Sequence, residues 1–349
     1  MNYETLTGTL EAIGKPARTV EMPGGARILL LPHGGRVLGL FGAGDEENYY
    51  WTHPALASAA TAEAFYASGD WQNSGGDRTW LAPELDIFFP NYPDIDFSGY
   101  FQPRQLDPGN YTIEDGDGTV CMVNRLSVVL HRMKTSVDLE IRKWVTPAAN
   151  PLRYEKDSPL PPSVVYAGYT QHTVLAMLAG DAAVGLWNLI QMPHRGLLTI
   201  PVYTRSEPHI YFGAIAENDL HVTQGAIRWR MAAQGQQKIG VRATATTGRV
   251  GYRYAVDGAV TLIVRNFAVN PSGEYVDVPF NAPDDPGYCV QACNVNSHWG
   301  EFSELEYHMP AIGAGTGRDR CEDVSQVWGF RGPAEAIDRV MAALLSSPE

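Results

Sequence analysis

Charge is scarce in this sequence. Asp, Glu, Lys and Arg make up 19% of the 349 residues, and the balance is acidic, with a net charge of −13 and a pI near 5.1. Such a chain repels a phosphate backbone rather than gathering it, so nucleic acid is excluded as the expected partner. Long apolar runs are missing too: none approaches the roughly 18 residues that a membrane-spanning helix needs. The opening Met1-Asn2-Tyr3-Glu4-Thr5-Leu6 has neither a basic start nor an apolar stretch, and no secretory signal is read there. Cysteine is limited to Cys121, Cys289, Cys293 and Cys321, with no CxxC pair. On one strand, Cys289 and Cys293 would share a face about 13 Å apart, too far for a disulfide. Free, mostly buried thiols point to a cytoplasmic setting. Catalytic signatures are also absent: there is no HExxH, no Gly-x-Ser-x-Gly, no dinucleotide fingerprint, and no Gly-Lys-Ser/Thr after Gly75-Gly76. Neither a redox or nucleotide cofactor nor a metal is expected.

What the chain does have is glycine (35), proline (24), tyrosine (17) and tryptophan (8), the profile of a strand-rich protein with many turns and aromatic platforms. Val137, Leu139 and Ile141 alternate with Asp138, Glu140 and Arg142, as a half-buried strand does. Strands at 27–31 and 37–41 flank the turn Pro32-His33-Gly34-Gly35, and strands at 252–256 and 260–266 flank Asp257-Gly258, a hairpin signal. Further strands are expected at 119–131, entered through a turn at Asp115-Gly116-Asp117-Gly118, and at 172–178, 183–190, 220–231, 238–243, 275–280 and 288–294. Two segments break the pattern. The Ala-rich stretch 53–68 predicts a short helix, and Ile337, Val340, Met341 and Leu344 predict an amphipathic C-terminal helix with Pro333 at its first position. The proline-rich stretch 147–162 is the best boundary candidate, yet strands of one style lie on both sides. One all-β domain over 1–349 is expected, with a long surface loop.

The run 301–310 reads as a strand with Glu304, Glu306 and His308 on one face and Leu305, Tyr307 and Met309 on the other. Stacked carboxylates beside a histidine do little for a core. They suit a general acid/base set, a metal cage or a grip on a hydroxyl-rich ligand. In Gly75-Gly76-Asp77-Arg78-Thr79-Trp80, running on to Pro83-Glu84, a glycine pair allows close backbone approach, and Asp77, Arg78 and Trp80 offer charge beside a flat ring. In the run 186–196, Trp187 and Asn188 must face opposite ways, Gln191 lies with Trp187, and His194 sits in a Pro-His-Arg-Gly turn. Flat rings suit the C–H faces of sugars, and amides and charges suit their hydroxyls.

Four stretches carry a family likeness. Gly34-Gly35-Arg36-Val37-Leu38-Gly39-Leu40 resembles the early glycine turn and strand of galactose mutarotase-like (aldose 1-epimerase-like) proteins. The late Phe302-Ser303-Glu304-Leu305-Glu306-Tyr307-His308-Met309-Pro310 resembles their glutamate-bearing strand. Trp187-Asn188 with Gln191, and Gly196-Leu197-Leu198-Thr199-Ile200-Pro201, resemble an uncharacterised bacterial branch of the same fold. The resemblance implies a β-supersandwich of large antiparallel sheets with a sugar site in the concave face of one. It also implies a glutamate as base at the anomeric hydroxyl and a histidine as acid at the ring oxygen. Glu306 or Glu304 matches the glutamate. The family's Asn-His-x-Tyr-Phe-Asn-Leu stretch is replaced by 186–191, which has no histidine, leaving His172, His194 and His308 as candidate acids. The leading expectation is acid/base catalysis on a small-molecule sugar or oligosaccharide. The alternatives are non-catalytic carbohydrate binding and a lyase acting on uronic-acid sugars, with Arg78 holding the carboxylate.

Overall fold

A computed structural model describes residues 1–116 and 119–346; Asp117 and Gly118 of the turn expected at 115–118 lie outside the described residues. Two large antiparallel sheets pack face to face, as the alternating pattern requires, and a C-terminal helix closes one of them. The nine-stranded sheet runs in the order Arg18–Glu21, Arg27–Leu31, Arg36–Phe41, Asp77–Ala82, Gly185–Pro193, Gly300–His308, Val290–Ser297, Gly235–Val241 and His209–Phe212. The ten-stranded sheet runs Leu220–Val222, Ala226–Met231, Gly196–Pro201, Arg249–Val256, Ala259–Asn266, Arg320–Gly332, Val165–Ala179, Thr135–Pro147, Thr119–Leu130 and Thr112–Gly116. Strands on either side of the proline-rich loop, Thr135–Pro147 and Val165–Ala179, pair directly with each other.

The main core lies between the sheets, where Ile190, Leu305 and Tyr307 of one meet Leu198, Trp229 and Tyr252 of the other. On the far side of the ten-stranded sheet, Ile337, Val340 and Leu344 of helix Ala334–Leu345 pack on Leu262, Val264 and Phe330. Pro333 is the helix N-cap, one position earlier than expected. An N-terminal helix, Tyr3–Ala12, which the sequence did not announce, buries Leu6 and Leu10 against Leu29, Leu31 and Phe41. The stretch 53–68 forms a short 3-10 turn, Pro54–Ala57, and then a helix, Ala59–Ala67, capped by Ser58.

Two strand expectations fail. The segment 220–231 is a hairpin rather than one strand, because the Thr223 hydroxyl and backbone bond Ala226 and turn the chain. Residues 275–280 join no ladder; Pro279 has no N–H to donate, and the buried Asp277 carboxylate accepts from the Glu84 N–H at 2.7 Å and from Gln291 Nε2 at 2.6 Å instead. A 13-residue strand, Arg320–Gly332, was not anticipated. Gly75 and Gly76, expected to admit a ligand, admit backbone: both have positive φ, and a Cβ would meet Trp51 O at 2.3 Å and Val37 O at 2.4 Å. That close approach lets Asp77–Ala82 slot between Arg36–Phe41 and Gly185–Pro193.

Candidate functional site

Residues directly opposite one another on paired strands share a face. The registers therefore build a polar patch on the outer face of the nine-stranded sheet. Lys238, Cys293, Glu304 and Gln191 lie in one cross-strand row; Gln291, Glu306, Leu189 and Arg78 in the next; His308, Trp187 and Trp80 in a third. Over this floor lies a narrow cleft walled by Trp71, Phe97, Tyr100, Phe212 and Trp299.

The charges on the floor are paired but not balanced. Arg78 Nη2 donates to Glu304 Oε1 at 2.9 Å, and Gln191 Nε2 donates to the same oxygen at 2.9 Å. The guanidinium lies 4.2 Å from the Trp80 ring centre and 5.0 Å from that of Trp71. Those two indoles are themselves fixed, since both N–H groups donate to Asp107, which Arg36 clamps with two bonds of 2.9 Å. On the other side Lys238 Nζ reaches Glu84 at 2.9 Å and Glu306 at 3.5 Å. Trp187 Nε1 donates to Glu306 Oε2 at 2.9 Å, whereas Glu306 Oε1 is buried with no partner.

Arg78 and Lys238 thus face Glu84, Glu304 and Glu306, and the site retains a proton. Burial pushes the Glu306 carboxyl up from an ordinary 4.5 to about 8, against the pull of Lys238 and with help from Glu304 and Glu84. Burial raises Glu84 as well, opposed by Lys238. A carboxyl whose pKa rises on folding stabilises the fold below its unfolded value, and that contribution fades as pH climbs through the folded value. Glu306→Gln, which mimics the protonated form, should therefore melt close to wild type at pH 4.5. It should become more stable than wild type as pH rises towards 8, by an amount on the order of a few kcal/mol. Melting curves at several pH values test this; a difference that stays constant with pH would show that Glu306 carries no raised pKa.

The order of strands brings Glu304, Glu306, Arg78, Trp80, Trp187 and Gln191 together. It takes other expected residues elsewhere. Asp77 and Asn188 point the opposite way, into the core: Asp77 accepts from Arg265 at 2.5 Å and Tyr169 at 2.7 Å, and Asn188 donates to Tyr307 at 2.8 Å and Asp323 at 3.1 Å. Strand alternation places them there, one residue out of phase with Arg78 and Trp187. His308 lies on the correct face but beneath the cleft, its ring stacked on Trp187 at 5.3 Å; burial and then Lys238 hold it well below the usual imidazole range, so it is not a proton source. His194 bonds Asn294 at 2.8 Å away from the cleft, and His172 stacks on Trp144 in the other sheet. Among the described residues, no histidine lines the cleft.

Sequence reading missed Lys238, Cys293, Tyr100 and Trp299. The one available signal was Lys238 itself, a lone cation in a strand whose neighbour Ile239 is buried. Cys293, Glu304 and Glu306 offer one donor atom each within 4.8 Å of one another, a spacing that a metal ion could use. Lys238, opposite Cys293 and 3.5 Å from Glu306, already supplies positive charge at that point, so the set does not favour a metal.

A sequence-family model described as Family of unknown function (DUF6786) matches residues 7–347. The chain belongs to the DUF6786 family. No curated protein matches it. Among solved structures, this DUF6786 member is similar to a GalM/aldose epimerase homologue from C. elegans, at 9% identity and a TM-score of 0.44, covering 91% of this chain and 99% of that one. It is also similar to the galactose 1-epimerase of Lactobacillus acidophilus NCFM, at 8% identity and a TM-score of 0.40, covering 91% and 94% respectively. Both likenesses are loose, and the architecture of the DUF6786 member rests on its own two sheets. Among its described residues, no helix is long and apolar enough to cross a membrane.

Proposed function

We propose that the cleft transfers protons at the anomeric carbon of a sugar, with Glu306 as the acid and Glu304 as the base. The observation that carries this reading is the unpartnered, buried Glu306 Oε1 on the cleft floor, on a carboxyl held protonated up to about pH 8. Glu304, by contrast, is the counter-ion of Arg78. Carboxyls set in contrasting surroundings divide acid and base roles between them. A hemiacetal carries its hydroxyl and its ring oxygen on one carbon, so two carboxyls rising from one floor within 4.8 Å can serve both oxygens. Glu304 takes the hydroxyl proton, Glu306 gives its proton to the ring oxygen, and the carbon–ring oxygen bond breaks to leave an open-chain aldehyde. Rotation about the adjacent bond and the reverse transfers close the other anomer and restore both carboxyls. The indoles give the apolar face of the ring a platform.

The test is anomer exchange, followed by exchange NMR across a panel of aldoses and uronic acids. Glu306→Gln and Glu304→Gln should each lower the catalysed rate by about 10²–10⁴-fold without loss of fold. The wild-type rate should fall as pH passes about 8, where Glu306 loses the proton it donates. Absence of exchange with every sugar would reject the proposal. Sugar binding without exchange would then favour the second reading, non-catalytic carbohydrate binding, which gains support because no histidine lines the cleft among the described residues. A lyase acting on uronic acids has lost support, because Arg78 is already committed to Glu304 and lies against two indoles.

A further inference from the structure

Beside the cleft lies a second hollow that proton transfer does not use. It is a groove open to solvent, and Trp71, Tyr100, Gln102 and Trp299 line both spaces. Its other lining is largely polar and includes His53, Asp70, Asn73 and His298. Asn73 decides what the groove asks for. Its side chain is 2% exposed, and Arg78 Nη1 donates to its Oδ1 at 3.4 Å. A guanidinium can only donate, so the amide oxygen is the half turned towards Arg78. The remaining half, Nδ2, is buried and has no partner. A dry NH₂ group beside an open groove calls for an oxygen acceptor from a ligand.

We infer that this groove is a second sugar subsite and that the substrate is a neutral reducing oligosaccharide rather than a free monosaccharide. The inference rests on the proposed anomeric chemistry, which requires a free anomeric hydroxyl over Glu304 and Glu306. The reducing ring then sits at the mouth of the inner cleft, and the chain leaves from its non-reducing side past Trp71 and Trp299. The next ring lies against these indoles and presents hydroxyl oxygens to Asn73 Nδ2. Asp70 at the groove, together with a net charge of −13, selects against an acidic chain.

The experiment compares kcat/KM for anomer exchange of glucose with maltose and cellobiose, of xylose with xylobiose, and of mannose with mannobiose. At least one disaccharide should exceed its monosaccharide by about tenfold or more. Asn73→Asp keeps the acceptor facing Arg78 and removes the free donor; it should lower that ratio at least several-fold, and Trp299→Ala should bring it towards one. A role for Asn73 exerted only through Arg78 would slow both sugars equally and leave the ratio unchanged, overturning the subsite. Ratios of one in the wild type would also overturn it while leaving the proton-transfer reading intact. If no sugar undergoes exchange, calorimetric Kd values decide. Binding of a disaccharide about tenfold tighter than its monosaccharide, weakened by Asn73→Asp, upholds the subsite although the chemistry fails. Equal affinity, or no binding at all, rejects it.

Discussion

Asp77→Ala should destabilise the protein by about 3–5 kcal/mol at neutral pH, because it removes one partner from a buried ionic cluster. Asp77 is completely buried between the sheets, as are Lys143 and, nearly so, Arg265. Burial alone would push its carboxyl up, but Arg265 and Lys143 beside it more than reverse this and hold it below the usual carboxylate range. Without Asp77, both cations remain in a space that water does not reach. Lys143 can escape by losing its proton; burial already lowers it from 10.5 to about 8 even with Asp77 3.5 Å away. Between those values the unfolded state binds more protons than the folded one, so stability rises with pH through that window. Removing Asp77 should extend the window below pH 8. Urea denaturation from pH 6 to 9 should show a deficit that shrinks as pH rises. A deficit under 1 kcal/mol at pH 6 would mean that the cluster is not dry.

Lys238→Met should cost a similar amount, about 3–5 kcal/mol at pH 8, with the opposite dependence on pH. Lys238 is the cation that Glu84 and Glu306 share, and all three are nearly inaccessible. With it gone, Glu84 loses its counter-ion beside Asp277 and must take up a proton to stay buried, whereas Glu306 already holds one below about pH 8. The loss should therefore be small at pH 5 and grow towards pH 8. The double change Lys238→Met with Glu84→Gln should recover part of it at pH 8, since one of the stranded charges is removed. Equal losses at both pH values would point to packing against Trp187, over whose ring Nζ lies at 4.4 Å, rather than to charge.

Much of this was legible in the sequence because strand alternation is a local signal. The pairing of Glu304 with Glu306, and the opposition of Trp187 and Asn188, follow from period two alone. That rule could not say which of two opposed faces is the cleft when both carry polar residues. Asp77 and Asn188 look as ligand-ready as Arg78 and Gln191, yet they belong to the interior. Lys238 was invisible as a partner of Glu306 because only the order of strands brings them together, through Val290–Ser297. The strand Arg320–Gly332 was hidden for a related reason: its buried Asp323 and Ser325 serve the polar interior, so the expected apolar alternation is absent there. The Trp299 wall depends on a hairpin tip, where no periodicity operates.

The phase of Asp77–Ala82 has a consequence for how this protein can change. Its odd-numbered positions serve the ionic interior and its even-numbered ones the cleft; Gly185–Pro193 beside it alternates in the opposite phase, and Gly300–His308 beyond that again turns its even-numbered positions to the cleft. Single replacements in these strands disturb one side at a time and leave the other to be refined separately. A single inserted or deleted residue would exchange the two sides, presenting Asp77's partners with Arg78 and the cleft with an orphaned acid. Variation in this region is thus free in residue type and closed in length, and new ligand preferences would have to arise in the loops that carry Asp70, Asn73 and His298.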